Sequence, residues 1–374
     1  MWSRLSPKAR RNLLRILPFG VIWLLVSQVL LVSDYAATSG FANMAETDIE
    51  LSLPIYLFAS LATTVVGFTV GAVEVLYLNR LFATRSFREK IIGKTVFYLV
   101  LLAGVILVTY PIAAAMEMDT SLVDARVWER LRGFLISMSS LSAGVQLTTS
   151  LIASLFYAEI SEHLGHQVLT NFLTGRYHTP TVERRIFLFS DMKSSTQFAE
   201  VLGHARYFEL LRAYYDSLAD AIIDHRGEVY QYIGDEIVIS WPEEKGLRQN
   251  ECIRCVLRMK EDLRARAPWF KDRFGVVPAF KAGMQHGSVT TGEIGALKKE
   301  IFFTGDVLNQ AARIQGLCSE LATDVLLGGE LRARLGEAEG WTFRSLGTHG
   351  LRGREQPVEL FALEVTSPPE GEAV

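Results

Sequence analysis

The sequence predicts an α+β protein in two halves: four membrane helices, then a helical connector and a βαββαβ domain. Three observations carry this reading. Four apolar stretches long enough to cross a bilayer, which takes ~20 residues each, all fall before residue 157. Between Ile160 and Phe172 apolar residues recur at helical spacing. From Glu183 onward strand-like runs alternate with amphipathic helical patterns, as expected where helices pack on one face of a sheet. The chain is therefore divided into a membrane domain over 1–157, a connector over 158–182, a second domain over 183–366 and a disordered tail over 367–374.

The four stretches run from about Leu13 to Val32, Leu51 to Tyr77, Ile91 to Ala115 and Phe134 to Phe156. Basic residues set their orientation. The N-terminus carries Arg4, Lys8, Arg10, Arg11 and Arg15, the first loop only acidic charges, and the second loop Arg80, Arg85, Arg88, Lys90 and Lys94. The N-terminus and the second half are thus expected on the cytoplasmic side of an integral membrane protein. Gln28, Glu74 and Gln146 are the polar residues inside the spans. Glu74 reads as an interhelical hydrogen bond or a side chain reaching the interface, since the other spans offer no visible basic partner; a ligand or ion site is the alternative. Trp2, Trp23 and Trp128 are candidate interface anchors.

In the connector, Ile160, Leu164, Val168 and Phe172 form a narrow stripe suited to pairing with a second copy of the chain. His163 and His166 read as a solvated face. In the second domain a strand over 185–190 leads to Asp191, and a helix over 195–226 presents Phe198, Leu202, Phe208, Leu211, Tyr215, Leu218 and Ile222 on one face. Two strands flank Gly234-Asp235, a hairpin signal. A helix over 246–267 follows, then a glycine-punctuated hairpin from Phe280, a helix after Gly305, and strands near 324–327, 341–346 and 358–365.

The net charge of −3 and the pI near 6.2 give no basic character that would point to nucleic acid. Cys252, Cys255 and Cys318 are an odd set, which suits a reducing compartment better than a disulfide framework. Cys252-Ile-Arg-Cys255 has no second pair to complete a zinc site and reads as two helix residues. Asp306 reads as a turn or helix-cap residue, His286 and His349 as loop histidines, and Lys298-Lys299 as a solvated hairpin tip.

Asp191 and Asp235 each end an apolar run. Singly they read as turn residues; together they suit hard cations, since Mg²⁺ takes one or two carboxylates plus phosphate oxygens. Asn309 and Arg313 are four apart, on one face near a helix N-terminus, a place that favours anions. An arginine there suits charge developing on a transferring phosphoryl group.

Four motifs in this order, Phe-Ser-Asp191-Met-Lys-Ser-Ser-Thr196, Gly234-Asp235-Glu, Gly283…Gly287…Gly292…Gly295 and Gly305-Asp-Val-Leu-Asn309-Gln-Ala-Ala-Arg313, resemble the catalytic domain of class III adenylate/guanylate cyclases. The resemblance covers about residues 185–363, half of the chain. It implies a ferredoxin-like fold and, on the family's balance of members, an adenylate cyclase that converts ATP to 3′,5′-cyclic AMP and pyrophosphate; a guanylate or relaxed-specificity cyclase acting on GTP, or a catalytically silent nucleotide-binding module, is the alternative. It also implies two Mg²⁺ or Mn²⁺ per site, held by Asp191, Asp235 and the Met192 carbonyl. Asn309 would position the ribose, Arg313 the α-phosphate, Arg352 the terminal phosphates, and Thr196 belongs to the phosphate loop. Metal and nucleotide residues come from different protomers in that family, so a homodimer with two shared sites is implied. Adenylate-specific members carry lysine where Gln231 stands and aspartate or threonine where Phe302 stands; guanylate-specific ones carry glutamate and cysteine. A Gln231 amide offers donors and an acceptor to either purine, and Phe302 offers a ring to stack. Ser194-Ser195 replaces the usual Gly-Phe. The membrane domain's ligand or partner, beyond lipid, is left open by the sequence.

Overall fold

A computed structural model describes residues 7–38, 49, 52–78, 81–82, 87–164, 175, 177–296, 300–337, 339–352 and 356–366. Residues 9–170 form one compact unit and the remainder of the chain from 171 another.

The first unit contains α1 (Pro7–Thr38), α2 (Leu53–Val73) continuing into a π-helical turn (Glu74–Leu78), α3 (Phe87–Glu117), α4 (Ala125–Leu135) and α5 (Met138–Leu164). Four helices are long and apolar enough to cross a membrane: 9–33, 53–78, 88–117 and 138–161. Their outward faces carry Leu25, Val29, Leu61, Val100 and Ile152. Small residues let the backbones approach: a Cβ on Gly67 would lie 2.7 Å from Trp23, and one on Gly71 2.8 Å from Phe19.

The last span begins later than its composition suggests. Phe134 belongs to α4, a separate amphipathic helix capped by Asp124, and stacks on Tyr110 with ring centroids 4.1 Å apart. Trp23 is no interface anchor either. It is fully buried and donates to Ser154 Oγ at 3.2 Å. Glu74, 2 % exposed, does have a basic partner. Lys94 on α3 pairs with Oε1, and Tyr98 one turn on donates to Oε2 at 2.6 Å. The sequence pattern hid this because Lys94 lies at the charged edge of its span, one helical turn from the apolar run.

The second unit is one sheet with helices on it. Its elements are β1 (Thr181–Met192), α6 (Ser195–Asp224), β2 (Glu228–Ile233), β3 (Glu236–Pro242), α7 (Glu243–Leu247), α8 (Glu251–Ala265), α9 (Ala267–Phe274), β4 (Phe280–Ile294), β5 (Glu300–Thr304), α10 (Asp306–Gly316), β6 (Val325–Gly328), α11 (Gly329–Arg332), β7 (Trp341–His349) and β8 (Val358–Val365). The strand order is β2-β3-β1-β4-β6-β8-β7, with β5 hairpinned onto β4. The β1-α6-β2-β3-α8-β4 run is the expected core. α6, α8 and α9 cover one face through Leu210, Tyr214, Leu218, Val256, Met259 and Phe270. α10 lies on the other, its Val307 and Ala311 against Phe187 and Val289.

Several boundaries shift for physical reasons. The helix expected over 246–267 is broken by a 3₁₀ turn at Arg248–Asn250, where Gln249 and Asn250 take positive φ of 54° and 56°. Phe208 is 71 % exposed instead of buried. Gly203 has φ +70° inside α6, which resets the helical phase so that Leu210 and Tyr214 face the core. His286 is not in a loop but on β4, buried 3.2 Å from Glu243, and His349 ends β7. Burial pushes the His286 imidazole down. Cys252 and Cys255 are buried in α8, and burial pushes the Cys252 thiol up to about 12. His166, Lys298-Lys299, most of the connector stripe and the 367–374 tail lie outside the described residues, as does the His163 side chain.

The packing of α10 on β4 requires Gly283. A Cβ there would lie 2.2 Å from the Gln315 nitrogen and 2.5 Å from the Ala311 oxygen, both backbone. Gly283→Ala is expected to lower stability by about 1–3 kcal/mol, read as a fall in thermal midpoint. An unchanged midpoint would mean that the helix can retreat freely.

Candidate active site

Asp191 and Asp235 come together because the hairpin β2–β3 folds back beside the end of β1. Asp191 faces Glu236 on β3 and Lys281 on β4 in the strand register. Asp235 follows Gly234, whose φ of +64° makes the two-residue turn. Tyr215 on α6 pins that turn by donating to the Gly234 carbonyl at 2.8 Å. The side chain of Met192 is buried in the core, so its backbone is what remains for the site. Thr196 lies exposed in the first turn of α6. Ser194, at the position of the missing glycine, holds φ +59° and ψ 24°, so the left-handed turn persists without the residue that favours it.

The pair is electrostatically crowded. The Asp191 carboxyl is pushed up to about 6, first by burial, then by the neighbouring Asp235 carboxyl. Lys281 Nζ, 3.6 Å from Asp191 Oδ2, opposes the shift. Glu236 is raised as well, by burial and by both aspartates. Asp235 Oδ2 is buried without a hydrogen-bond partner. An orphaned carboxylate oxygen beside a second acid suits a divalent cation. Among the described residues no group of three or more His, Cys, Asp or Glu side chains could hold a metal ion, so further ligands would have to come from backbone, water or substrate.

A second set gathers in an open cleft of about 620 Å³ between β2, β5 and the start of α10. Gln231, Phe302 and Asn309 line it, with Tyr230, Phe303 and Asp306 among their neighbours. Adjacent strand residues normally face opposite ways. Here the register slips between Val229 and Gln231, and this β-bulge lets both Tyr230 and Gln231 face the cleft. Phe302 is 43 % exposed there. Asp306 is no cap. Gly305 holds the cap position, and Asp306 Oδ2 accepts from Gln310 at 2.8 Å. Gln310 is itself held by the fully buried Gln285 at 2.9 Å.

Asp191, Met192, Asp235, Thr196, Arg313 and Arg352 are not among the cleft's lining residues. Arg313 is half-buried one turn beyond Asn309, and Arg352 is exposed after β7. Asp191 and Asp235 thus form one group and Gln231, Phe302 and Asn309 another, with Arg313 and Arg352 outside both. Sequence reasoning missed Lys281, Tyr215 and the bulge at Tyr230. Lys281 carried a signal, since a charge at that point of an apolar strand calls for a partner; the bulge carried none.

No family model matches the sequence. Among curated proteins, the chain is 35 % identical over 213 residues to "Adenylate cyclase 2" of Rhizobium meliloti, covering 57 % of this chain and 59 % of that protein. It is 27 % identical over 186 residues to "Adenylate cyclase 1" of the same organism, covering 46 % and 26 %. The chain therefore spans little over half of one relative and about a quarter of the other. A bacterial light-regulated adenylyl cyclase shares the fold, with TM-score 0.50 at 22 % identity over 59 % of this chain and 64 % of that one. The half of the chain that carries Asp191, Asp235, Asn309 and Arg313 is thus similar in sequence to named adenylate cyclases and shares the fold of a light-regulated adenylyl cyclase.

Proposed function

We propose that the protein is a membrane-bound adenylate cyclase whose active site is completed between two copies of the chain. The observation that carries this is the separation of the two groups. One chain holds Asp191 and Asp235 at a strand end, and Gln231, Phe302 and Asn309 in a cleft that they do not line. A two-fold dimer would bring the carboxylates of each copy to the cleft of the other and make two equivalent sites.

In this reading Asp191, Asp235 and the Met192 carbonyl hold two divalent cations, Mg²⁺ or Mn²⁺. Bound there, the cations supply a lowered pKa at the ribose 3′-hydroxyl and neutralise the leaving pyrophosphate. The 3′-oxygen–phosphorus bond forms as the bond from the α-phosphorus to pyrophosphate breaks, and the 3′-hydroxyl proton passes to water or to a substrate phosphate oxygen. Asn309 orients the ribose, and Arg313 meets the charge that grows on the α-phosphate. Arg352, Thr196 and Lys281 face the terminal phosphates. Gln231 hydrogen-bonds the purine edge and Phe302 stacks on the ring. The two relatives' names support ATP; the Gln231 amide suits guanine as well, so a relaxed choice of base is the second reading. The spans 9–33, 53–78, 88–117 and 138–161 cross the cytoplasmic membrane, with the N-terminus and the cyclase domain on the cytoplasmic side as the basic loops require.

Turnover of ATP and GTP by the full chain, each with Mg²⁺ and Mn²⁺, tests the activity. Cyclic product is expected, with more from ATP, and Asp235→Ala is expected to abolish it. A folded dimer that makes no product from either nucleotide would refute the enzyme, and wild-type turnover by Asp235→Ala would refute the metal role.

The crowded carboxyls predict a pH dependence. The Asp191 carboxyl binds its proton more tightly folded than unfolded, so its contribution to stability is fully present below about pH 4 and is lost as pH rises through about 6. In chelator, Asp235→Asn is expected to flatten this fall and to raise the thermal midpoint at pH 7. Added Mn²⁺ is expected to stabilise the wild type and not the variant. Parallel profiles for the two proteins would show that the pair is not coupled.

A further inference from the structure

A buried arginine behind the cleft has no part in the chemistry above. Arg185 sits in the middle of β1, 2 % exposed, on the sheet face that it shares with Phe187 and Phe189. Its guanidinium donates to Glu228 on β2 at 2.5 Å, to Ser240 Oγ on β3 at 2.9 Å and to Glu183 at 3.3 Å. Thr291 on β4 donates to the same Glu183 oxygen at 2.7 Å. The remaining nitrogen, Nε, is buried without a partner. The guanidinium carbon lies 4.8 Å from the ring centroid of Phe303 on β5.

Burying a charge among aromatic side chains is costly, and an apolar side chain of similar volume usually serves stability as well or better. Phe187 and Phe189 show that this face accepts apolar residues. What an apolar residue cannot do is fix two directions at once. Arg185 holds β2 through Glu228 and β5 through Phe303, and these strands are not neighbours: β2 pairs with β3, and β5 with β4. Both reach the cleft. Phe303 meets the Tyr230 ring at 4.9 Å, and its N–H donates to the Tyr230 hydroxyl at 3.4 Å. Tyr230 and Phe303 line the cleft, and their chain neighbours are Gln231 and Phe302. Arg185 itself is not among the lining residues.

We propose that Arg185 is a positioning residue for the purine: it fixes the spacing between the Gln231 strand and the Phe302 strand, and so the fit of the base. The inference rests on the nucleotide reading of the cleft. It places the effect at the base end of the substrate and leaves the carboxylates and Arg313 untouched.

The test uses the full chain with Arg185→Met, Arg185→Lys and Glu228→Gln. KM and kcat are measured for ATP and GTP, with equilibrium binding of α,β-methylene-ATP, which cannot cyclise. Misplacing a substrate by about 1 Å costs up to ~100-fold. Arg185→Met is therefore expected to raise KM and the analogue's Kd by about tenfold, with kcat within about threefold and the ATP-to-GTP ratio altered. Arg185→Lys, which keeps the charge without the planar fork, is expected to fall between, and Glu228→Gln to move KM in the same direction. If Arg185→Met does not fold, the other two variants carry the test. Folded variants with unchanged KM and unchanged base preference would reduce Arg185 to a structural role, and so would a loss in kcat at constant KM. A wild type that neither cyclises nor binds nucleotide would instead overturn the nucleotide reading itself.

Discussion

Two carboxylates held side by side in a half-buried corner repel each other, and the cyclase half is built around tolerating that repulsion. The strand end fixes Asp191, the glycine turn fixes Asp235, and Tyr215 clamps the turn from the helix side. Lys281 supplies partial compensation at 3.6 Å. The unanswered Asp235 oxygen and the raised Asp191 carboxyl are what remains. Such a corner lowers the stability of the fold, and function is the natural reason to keep it.

The second constraint is closeness. α10 lies so near β4 that Gly283 has no room for a methyl group, and Gly287 and Gly305 meet Val307 and the Ser288 carbonyl at 2.9 and 2.7 Å when given one. That approach sets Asn309 at the rim of the cleft. Gly283 and Gly287, carried in the sequence only as part of a resemblance, thus have a packing reason. The buried Gln285–Gln310–Asp306 chain holds the start of the same helix.

Much of this was legible in the sequence, for identifiable reasons. Continuous apolar runs marked β1 and β3, the Gly234-Asp235 dipeptide marked the hairpin of β2 and β3, and the spacing of Asn309 and Arg313 marked a helix face. Strand β8 begins and ends where its apolar pattern does. What escaped notice depends on backbone irregularities or on distant partners. Gly203 resets α6 and exposes Phe208, Gln249 and Asn250 break the following helix, and the bulge at Tyr230 turns two neighbours toward one cleft. None of these leaves a periodic trace. The Lys94–Glu74 pair joins residues of two different helices, and composition alone does not report which charges meet. The same holds for Arg185, one of several arginines in the sequence until its burial is known.

The first unit supplies four helices long and apolar enough to cross a membrane, knit by small residues and a buried ion pair, and the second carries two separate groups of candidate site residues. A two-fold dimer would bring those groups together. Co-expression of Asp191→Ala with Arg313→Ala chains tests it most directly. Each variant alone is expected to be inactive. Random pairing makes half the dimers mixed, each with one intact site, so roughly a quarter of wild-type activity is expected to return. Inactive mixed dimers, isolated with two affinity tags, would contradict a site shared between the two copies.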